Sequence, residues 1–562
     1  MTEELLFYDL EVFKCDNFAV FLDENKNVVQ IFHNDYDGCR ELIRDKKLVG
    51  YNNHYYDDRV IPKMMDGESV AQIKDLNDEI IAGNENAGKL GKLKSTYDCF
   101  QQIDVSRPGL KKIEGNQGKM IFESDVPFDI DRPLTEEEIQ EVIKYCTYDV
   151  KTTVDVFKMR HDNYFKAKKH LVSMIDNPSS SIEDWNTTTI SANVLMNRPL
   201  PKWSDVRLGK YDANRDYELL KIVPEEIREL WQGQKGTQTL DQFDCEIQFG
   251  FGGLHGAHKY KKKFTDVRQW DVTSMYPHII LILGVLGPHA EKYKQILEDR
   301  IGLKKTNPEL AAAYKIILNS VYGNLKNKYS ILYNPEAARS VCFYGQIALY
   351  KLCEMLAPYA TLVNINTDGI GFIPKVDEEK LQVIKSEWEK MFNLSLEDDY
   401  FDEFIQKDVN NYIGKKGDHL KVKGGDVARF YKDQPFKNNS IRIVDIAIVN
   451  KLVYGKDVVT TLEENLNDPH LFQYILQAGR TYKGTFDQNG NKYQNINRVF
   501  ATKDSGIKLY KRRQDDGLVK FPDSPENMML WNDETDKFTD FKNKVDLNFY
   551  YKLTTKNLER WE

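Results

Sequence analysis

The chain has 562 residues, too many for one ordinary hydrophobic core, and its length corresponds to roughly three or four domains. With 41% apolar and 29% charged residues it has the make-up of a folded, water-soluble protein, and no run reaches the roughly twenty apolar residues of a membrane helix. A net charge of −9 argues weakly against a nucleic-acid partner, but it leaves local basic runs at 259–264, 326–329, 415–425 and 510–513.

The N-terminus, MTEELLFYDLEVF, is acidic and enters a strand-like run at once, so no signal peptide is expected. The seven cysteines are scattered without a CxxC pair, which argues against a zinc site and suits a reducing cytoplasm. LLFYDLEVF, FAVFLDE and VVQIFHND read as strands separated by polar turns, giving the first ~170 residues a strand-rich α/β character. Asp9 and Glu11 stand two apart in the first strand and therefore share a face, where two oxygen ligands can hold a hard divalent cation. Such a D-x-E pair alone is weak, because about three should arise by chance in a chain this acidic.

GYNNHYYDD, residues 50–58, offers another acid, Asp57, with Asp58 as the alternative. Lys111 and Lys112 follow in PGLKKI; a solvated surface is the simpler expectation for them, and one of the two assisting the acid cluster is the alternative. After Pro133 a helix is predicted over TEEEIQEVIKYCTYDVKTTVDVF, with Thr135 as N-cap and Glu138 three residues on. It carries Tyr145 and Asp149, four apart and so on one side. The polar stretch NPSSSI, 177–182, reads as a linker.

Further on, GFGGLHGAHKYKKKF is rich in glycine and lysine, and QWDVTSMYP reads as a strand ending in a carboxylate, Asp271. HIILILGVLG after Pro277 is too short to span a membrane. ELAAAYKIILNSVYGNL is helical by its apolar spacing and sets Lys315, Asn319 and Tyr322 on one face. TLVNINTDGIGFI is two apolar runs around a turn, a hairpin with Asp368 at its tip. Singly, Asp271 also suits a helix cap, Asp368 a turn and Lys315 a solvated face.

In order, these residues resemble two known constellations. Asp9-Leu10-Glu11, Asn52 to Asp57 and Tyr145-x-x-x-Asp149 resemble the three motifs of the proofreading exonucleases. DVTSMYP, KIILNSVYG and NTDG resemble motifs A, B and C of the family B DNA polymerases, and GFGGLHGA resembles the glycine-rich stretch linking the two activities in the compact phage branch. The resemblance implies two Mg²⁺ or Mn²⁺ per active site, held by Asp271, the Val272 carbonyl and Asp368 for synthesis, and by Asp9, Glu11, Asp57 and Asp149 for digestion, where Tyr145 would orient a water. It makes Tyr276 the steric gate against ribonucleotides. Lys315 would grip the dNTP triphosphate with Arg300 or Lys304/Lys305; Asn319 and Tyr322 would meet the nucleotide; Tyr412, Lys421 and Lys423 would contact the primer. Two departures stand out: Asn366 where the family usually has an aspartate, and Asn410 where a lysine is expected.

The fold implied is a multidomain α/β chain: an RNase H-like exonuclease domain at 1–175, a connecting segment at 176–249, then a right-hand polymerase. Its palm would take 250–283 and 329–430, short fingers 284–328, and a thumb or C-terminal region 431–562. The expected partners are primer-template and single-stranded DNA, with a primase or helicase and a single-strand-binding protein as further candidates, and the chain is expected to be a cytoplasmic monomer, in host cytoplasm if phage-encoded. The gaps between the motifs leave no room for terminal-protein insertions, which implies a nucleic-acid primer. The alternatives are an exonuclease whose polymerase half is degenerate, and a non-enzymatic nucleic-acid scaffold.

Overall fold

The structure is a computed structural model, and it describes residues 3–196, 221–233, 236–250, 252–431 and 434–562. It is a multidomain α/β chain that divides into two units. The first comprises Met1–Ile190, Lys432–Ile443 and Leu462–Tyr550, and the second Ser191–Tyr431, Val444–Thr461 and Tyr551–Glu562. The C-terminal region, 431–562, is therefore shared between the units. Part of the connecting segment, 197–220, and Phe251 of the glycine-rich stretch lie outside the described residues.

In the first unit, the predicted strands form at Leu5–Val12, Asn17–Leu22 and Val28–His33, joined by Lys47–Gly50 and Tyr97–Asp98 in a five-stranded sheet. Leu5–Val12 is central, antiparallel to Asn17–Leu22 and parallel to Lys47–Gly50. Being covered on both faces, it shows little apolar alternation: all but Leu5 and Asp9 are buried. The predicted helix spans Glu136–Arg160, and Thr135 and Glu138 make a reciprocal capping box that fixes its start. Its Cys146, Val150, Val154 and Phe157 join Phe7, Val20 and Val49 in one core. Helices at Asp57–Met65 and Val70–Ile81 went unpredicted, the first because Pro62 lies within it.

The stretch read as a linker is structured. Ser180–Asp184 forms a 3₁₀ helix, Glu183 pairs with Lys47 and Ser95, and Asp184 accepts from the Thr96 amide 3.2 Å away. Lys47 and Thr96 are buried, while Asn177, Pro178, Ser179 and Ser180 remain exposed.

In the second unit a nine-stranded sheet runs, edge to edge, His419–Lys423, Asn411–Lys416, Leu396–Asp408, Lys263–Val272, Gly369–Pro374, Ala360–Asn366, Gly253–His258, Cys245–Gly250 and Thr237–Gln242. The predicted hairpin forms between Ala360–Asn366 and Gly369–Pro374. Helix Pro335–Leu356 packs on the sheet and buries most of its residues. Helices Ala290–Thr306 and Pro308–Lys326 pack together as a pair. Among the described residues no helix is long and apolar enough to cross a membrane.

Candidate active sites

The first acid cluster sits on the sheet of the first unit. Asp9 and Glu11 project from the same side of the central strand, and ligand atoms of Asp9, Glu11 and Cys146 all lie within 4.8 Å of one another. Helix Glu136–Arg160 crosses this face and carries Tyr145 and Asp149 one turn apart, where Tyr145 pulls the Asp149 carboxyl down against its burial. Burial pushes the Asp9 carboxyl up to about 8, with Asp149 adding to it, and burial followed by the charge of Asp9 raises Glu11 and Asp57. Burial raises all four carboxyls, and neighbouring acids of the cluster raise Asp9, Glu11 and Asp57 further, an acid cage whose relief is a proton or a cation.

The two adjacent aspartates separate cleanly. Asp58 accepts from the Tyr8 hydroxyl at 2.6 Å, Thr96 Oγ1 at 2.8 Å and Asn53 Nδ2 at 3.2 Å. It is a structural acceptor. Asp57, only 3% exposed, keeps Oδ1 buried with no hydrogen-bond partner among the described residues, and Asp9 is its strongest charged neighbour. A carboxylate oxygen left in that state is costly unless a cation completes it. The fit to a divalent metal therefore favours Asp57 beside Asp9, Glu11 and Asp149.

Lys111 is not solvated. Its side chain is 12% exposed, its ammonium contacts Asp149 directly, and it lies 4.5 Å from the centre of the Tyr145 ring. Burial opposes its charge, but Asp149 and Glu114 outweigh that and raise its pKa. Sequence reasoning missed Glu114 and Cys146. Glu114, three residues after Lys111 on one helix, carried a readable i, i+3 signal; the cysteine carried none.

The second cluster lies on the nine-stranded sheet, where Asp271 and Asp368 meet. Asp271 is in register with Gly369, and the Val272 amide donates to the Asp368 carbonyl at 2.6 Å. Both aspartates line one cleft of about 680 Å³. Burial raises the Asp271 carboxyl, Gln269 holds one of its oxygens at 2.6 Å, and the Asp368 charge raises it further. A Cβ on Gly369 would overlap Asp271 Oδ1, so the residue after Asp368 has to be glycine for these carboxylates to stand as they do. Ser274 is left-handed (φ 44°) at the turn into helix Met275–Ile282, the sharp corner that follows the carboxylate.

A third acid enters from the neighbouring strand. Glu397 is in register with Asp271, lines the same cleft and accepts from Thr273 Oγ1 at 3.1 Å. Sequence reasoning missed it because only the pairing of Leu396–Asp408 with Lys263–Val272 brings it there.

Asn366 heads a chain of amides. Its Nδ2 donates to Asn364 Oδ1 at 2.7 Å, Asn364 Nδ2 to Gln406 Oε1 at 2.9 Å, and Gln406 Nε2 to the Val363 carbonyl at 2.9 Å. The carbonyl can only accept, so the direction of every bond in the chain is set, and position 366 must supply a donor. An aspartate there would face the Asn364 oxygen.

Around these acids the structure sorts the remaining predicted residues. Arg300, Lys304, Tyr412, Lys421, Lys423 and also Asn410 line the cleft with Asp271 and Asp368. Tyr412 is buried and its hydroxyl is pushed up to about 12, by burial first and Asp271 next. Tyr276, Asn319 and Arg300 line a smaller adjoining cavity of about 220 Å³ that Asp368 also reaches. The Tyr276 and Tyr322 rings pack with centroids 4.7 Å apart. Lys305 and Lys315 are exposed and line neither cavity. In the basic run 510–513, Lys511 lies over Tyr482, while Arg512 and Arg513 pair with Asp516 and Asp515.

No protein-family model matches the chain, and no curated protein matches it. Among solved structures it is similar to the family B DNA polymerase from the hyperthermophilic archaeon Pyrobaculum calidifontis, at 12% identity and a TM-score of 0.42, covering 100% of this chain and 78% of that one.

Proposed function

We propose that the chain is a template-directed DNA polymerase of the family B type with its own 3′→5′ proofreading exonuclease. The observation that carries this reading is the meeting of Asp271 and Asp368, 97 residues apart in the chain (368 − 271), across one pair of strands and in one cleft lined by basic residues. Glu397 supports it further, since it makes good the charge that Asn366 does not bring.

In the synthetic site Asp271, Asp368 and the Val272 carbonyl would hold Mg²⁺ or Mn²⁺, with Glu397 beside them. Two such ions supply activation of the primer hydroxyl and neutralisation of the departing pyrophosphate. Arg300 and Lys304 face the cleft where a dNTP triphosphate would lie, and cations there match its charge. Lys305 and Lys315, on the exposed side of the helix pair, reach it only if those helices move inward. Tyr276, backed by Tyr322, would pack under the sugar and exclude a 2′-hydroxyl. Tyr412, Lys421 and Lys423 on the adjoining strands would hold the primer terminus. In the digestive site Asp9, Glu11, Asp57 and Asp149 would hold the metals, and Tyr145 would orient the attacking water.

We assign Met1–Ile190 of the first unit the exonuclease role, with an RNase H-like sheet, and the sheet of the second unit the palm. The helix pair 290–326 would serve as short fingers, with residues beyond 430 contributing the thumb. Between Pro277 and Lys315, and between Gly323 and Asp368, the chain holds little beyond this pair and helix Pro335–Leu356. That economy supports a compact phage-type enzyme extending a nucleic-acid primer, without terminal-protein insertions.

A second reading, an exonuclease whose polymerase half only binds DNA, is favoured by Asn366 alone. One assay separates the two: a primed template with Mg²⁺, with and without dNTPs. The proposal expects the primer to grow with dNTPs and to shorten without them. Shortening in both cases would leave only the second reading.

A further inference from the structure

We propose that Glu114 is a positioning residue of the exonuclease site, holding the Lys111 ammonium against Asp149 and over Tyr145 where the negative charge of a cleaved phosphodiester develops. This rests on the exonuclease reading of the first unit.

Lys111 and Glu114 stand three apart on helix Leu110–Asn116, so both reach the same side. The ammonium touches Asp149 and lies 3.4 Å from Glu114 Oε1, which also accepts from Thr152 Oγ1 at 3.2 Å. The Glu114 side chain is 0% exposed, and its Oε2 has no hydrogen-bond partner among the described residues. A carboxyl this deep is a liability for folding, because a neutral side chain of the same shape would avoid the desolvation, and burial raises it to about 8 against the pull of Lys111. Its compensation is the cation it holds. Without Glu114, Lys111 keeps one anionic partner, a metal-ligand candidate, and its flexible stem loses the second point that fixes its direction.

The helix that carries both residues is itself anchored. Arg498, fully buried, donates to the Gly115 carbonyl at 3.2 Å and the Lys119 carbonyl at 2.6 Å, and Asn439 donates to the Asn116 carbonyl at 2.7 Å. The C-terminal part of the first unit thus sets where Lys111 starts, and Glu114 sets where it ends. A preorganised ammonium aimed at developing charge acts without reorganisation during the reaction.

The test is the steady-state digestion of an end-labelled single strand by the full chain with Mg²⁺. Glu114→Gln should lower kcat about tenfold to hundredfold with KM within twofold, and Glu114→Asp should retain more activity than Glu114→Gln. In a Lys111→Met background Glu114→Gln should cost nothing further, because the group it positions is gone. Extension of a primed template should be unchanged throughout. Wild-type digestion by Glu114→Gln, multiplying losses in the double variant, or a parallel fall of digestion and extension would each overturn the assignment. Asp9→Ala serves as the control: undiminished digestion there would instead remove the exonuclease reading itself.

Discussion

Asp57 and Asp58 are neighbours in sequence with opposite surroundings, and the difference is testable residue by residue. Asp58→Ala strips an acceptor from Tyr8, Thr96 and Asn53 and should cost about 1–3 kcal/mol in denaturant unfolding. Asp57→Ala removes a buried, unpartnered oxygen; it should abolish digestion while leaving stability equal or higher. The reverse pattern would exchange their roles. Gly369 makes a second case. Gly369→Ala puts a methyl where Asp271 Oδ1 now lies, so the carboxylate must swing away. Primer extension should fall about a hundredfold or more, with digestion intact, since a displacement near 1 Å is enough for that loss. At this scale the sequence singled out Asp9 and Glu11 by their spacing in one strand, and Asp271 and Asp368 by the resemblance of DVTSMYP and NTDG to polymerase motifs. It left Asp57 and Asp58 open, because only the hydrogen bonds around them tell the two apart.

At the scale of elements, the strands and helices that carry the candidate residues were legible where local signals were complete. The capping box at Thr135 and Glu138 starts the helix of Tyr145 and Asp149, and the turn at 366–369 closes the hairpin of Asp368. Pairings across the sheet were not legible, and Glu397 went unseen for that reason. The same pairings explain Asn366. Its departure from the expected aspartate follows from the amide chain through Asn364 and Gln406, whose direction the Val363 carbonyl dictates. Asn366→Asp should therefore not raise extension, and should destabilise the chain by about 1–3 kcal/mol by setting acceptor against acceptor. A faster enzyme of undiminished stability would refute this account of the hairpin.

For the whole molecule, the buried acid cage of the first unit predicts how stability varies with pH. The Asp9 carboxyl is raised from an ordinary 3.8 to about 8, so between those values the folded chain holds a proton that the unfolded chain has lost. Its contribution to metal-free stability therefore falls as pH rises from about 4 to about 8. Added Mg²⁺ or Mn²⁺ should raise the melting midpoint more at pH 8 than at pH 5, because metal and proton compete for the same oxygens. Asp9→Asn should raise the metal-free midpoint at pH 8, and calorimetry at the two pH values checks both; a midpoint indifferent to pH, metal and substitution would contradict the cage. The two acid clusters also lie in separate units of the chain, so the two proposed activities should be separable by single substitutions. The most direct measurement is primer extension on a DNA template with Mg²⁺ and dNTPs, comparing the wild-type chain with Asp368→Ala and Asp9→Ala. The account predicts extension by the wild type and Asp9→Ala and none by Asp368→Ala, which should still digest the primer; extension that survives Asp368→Ala would contradict it.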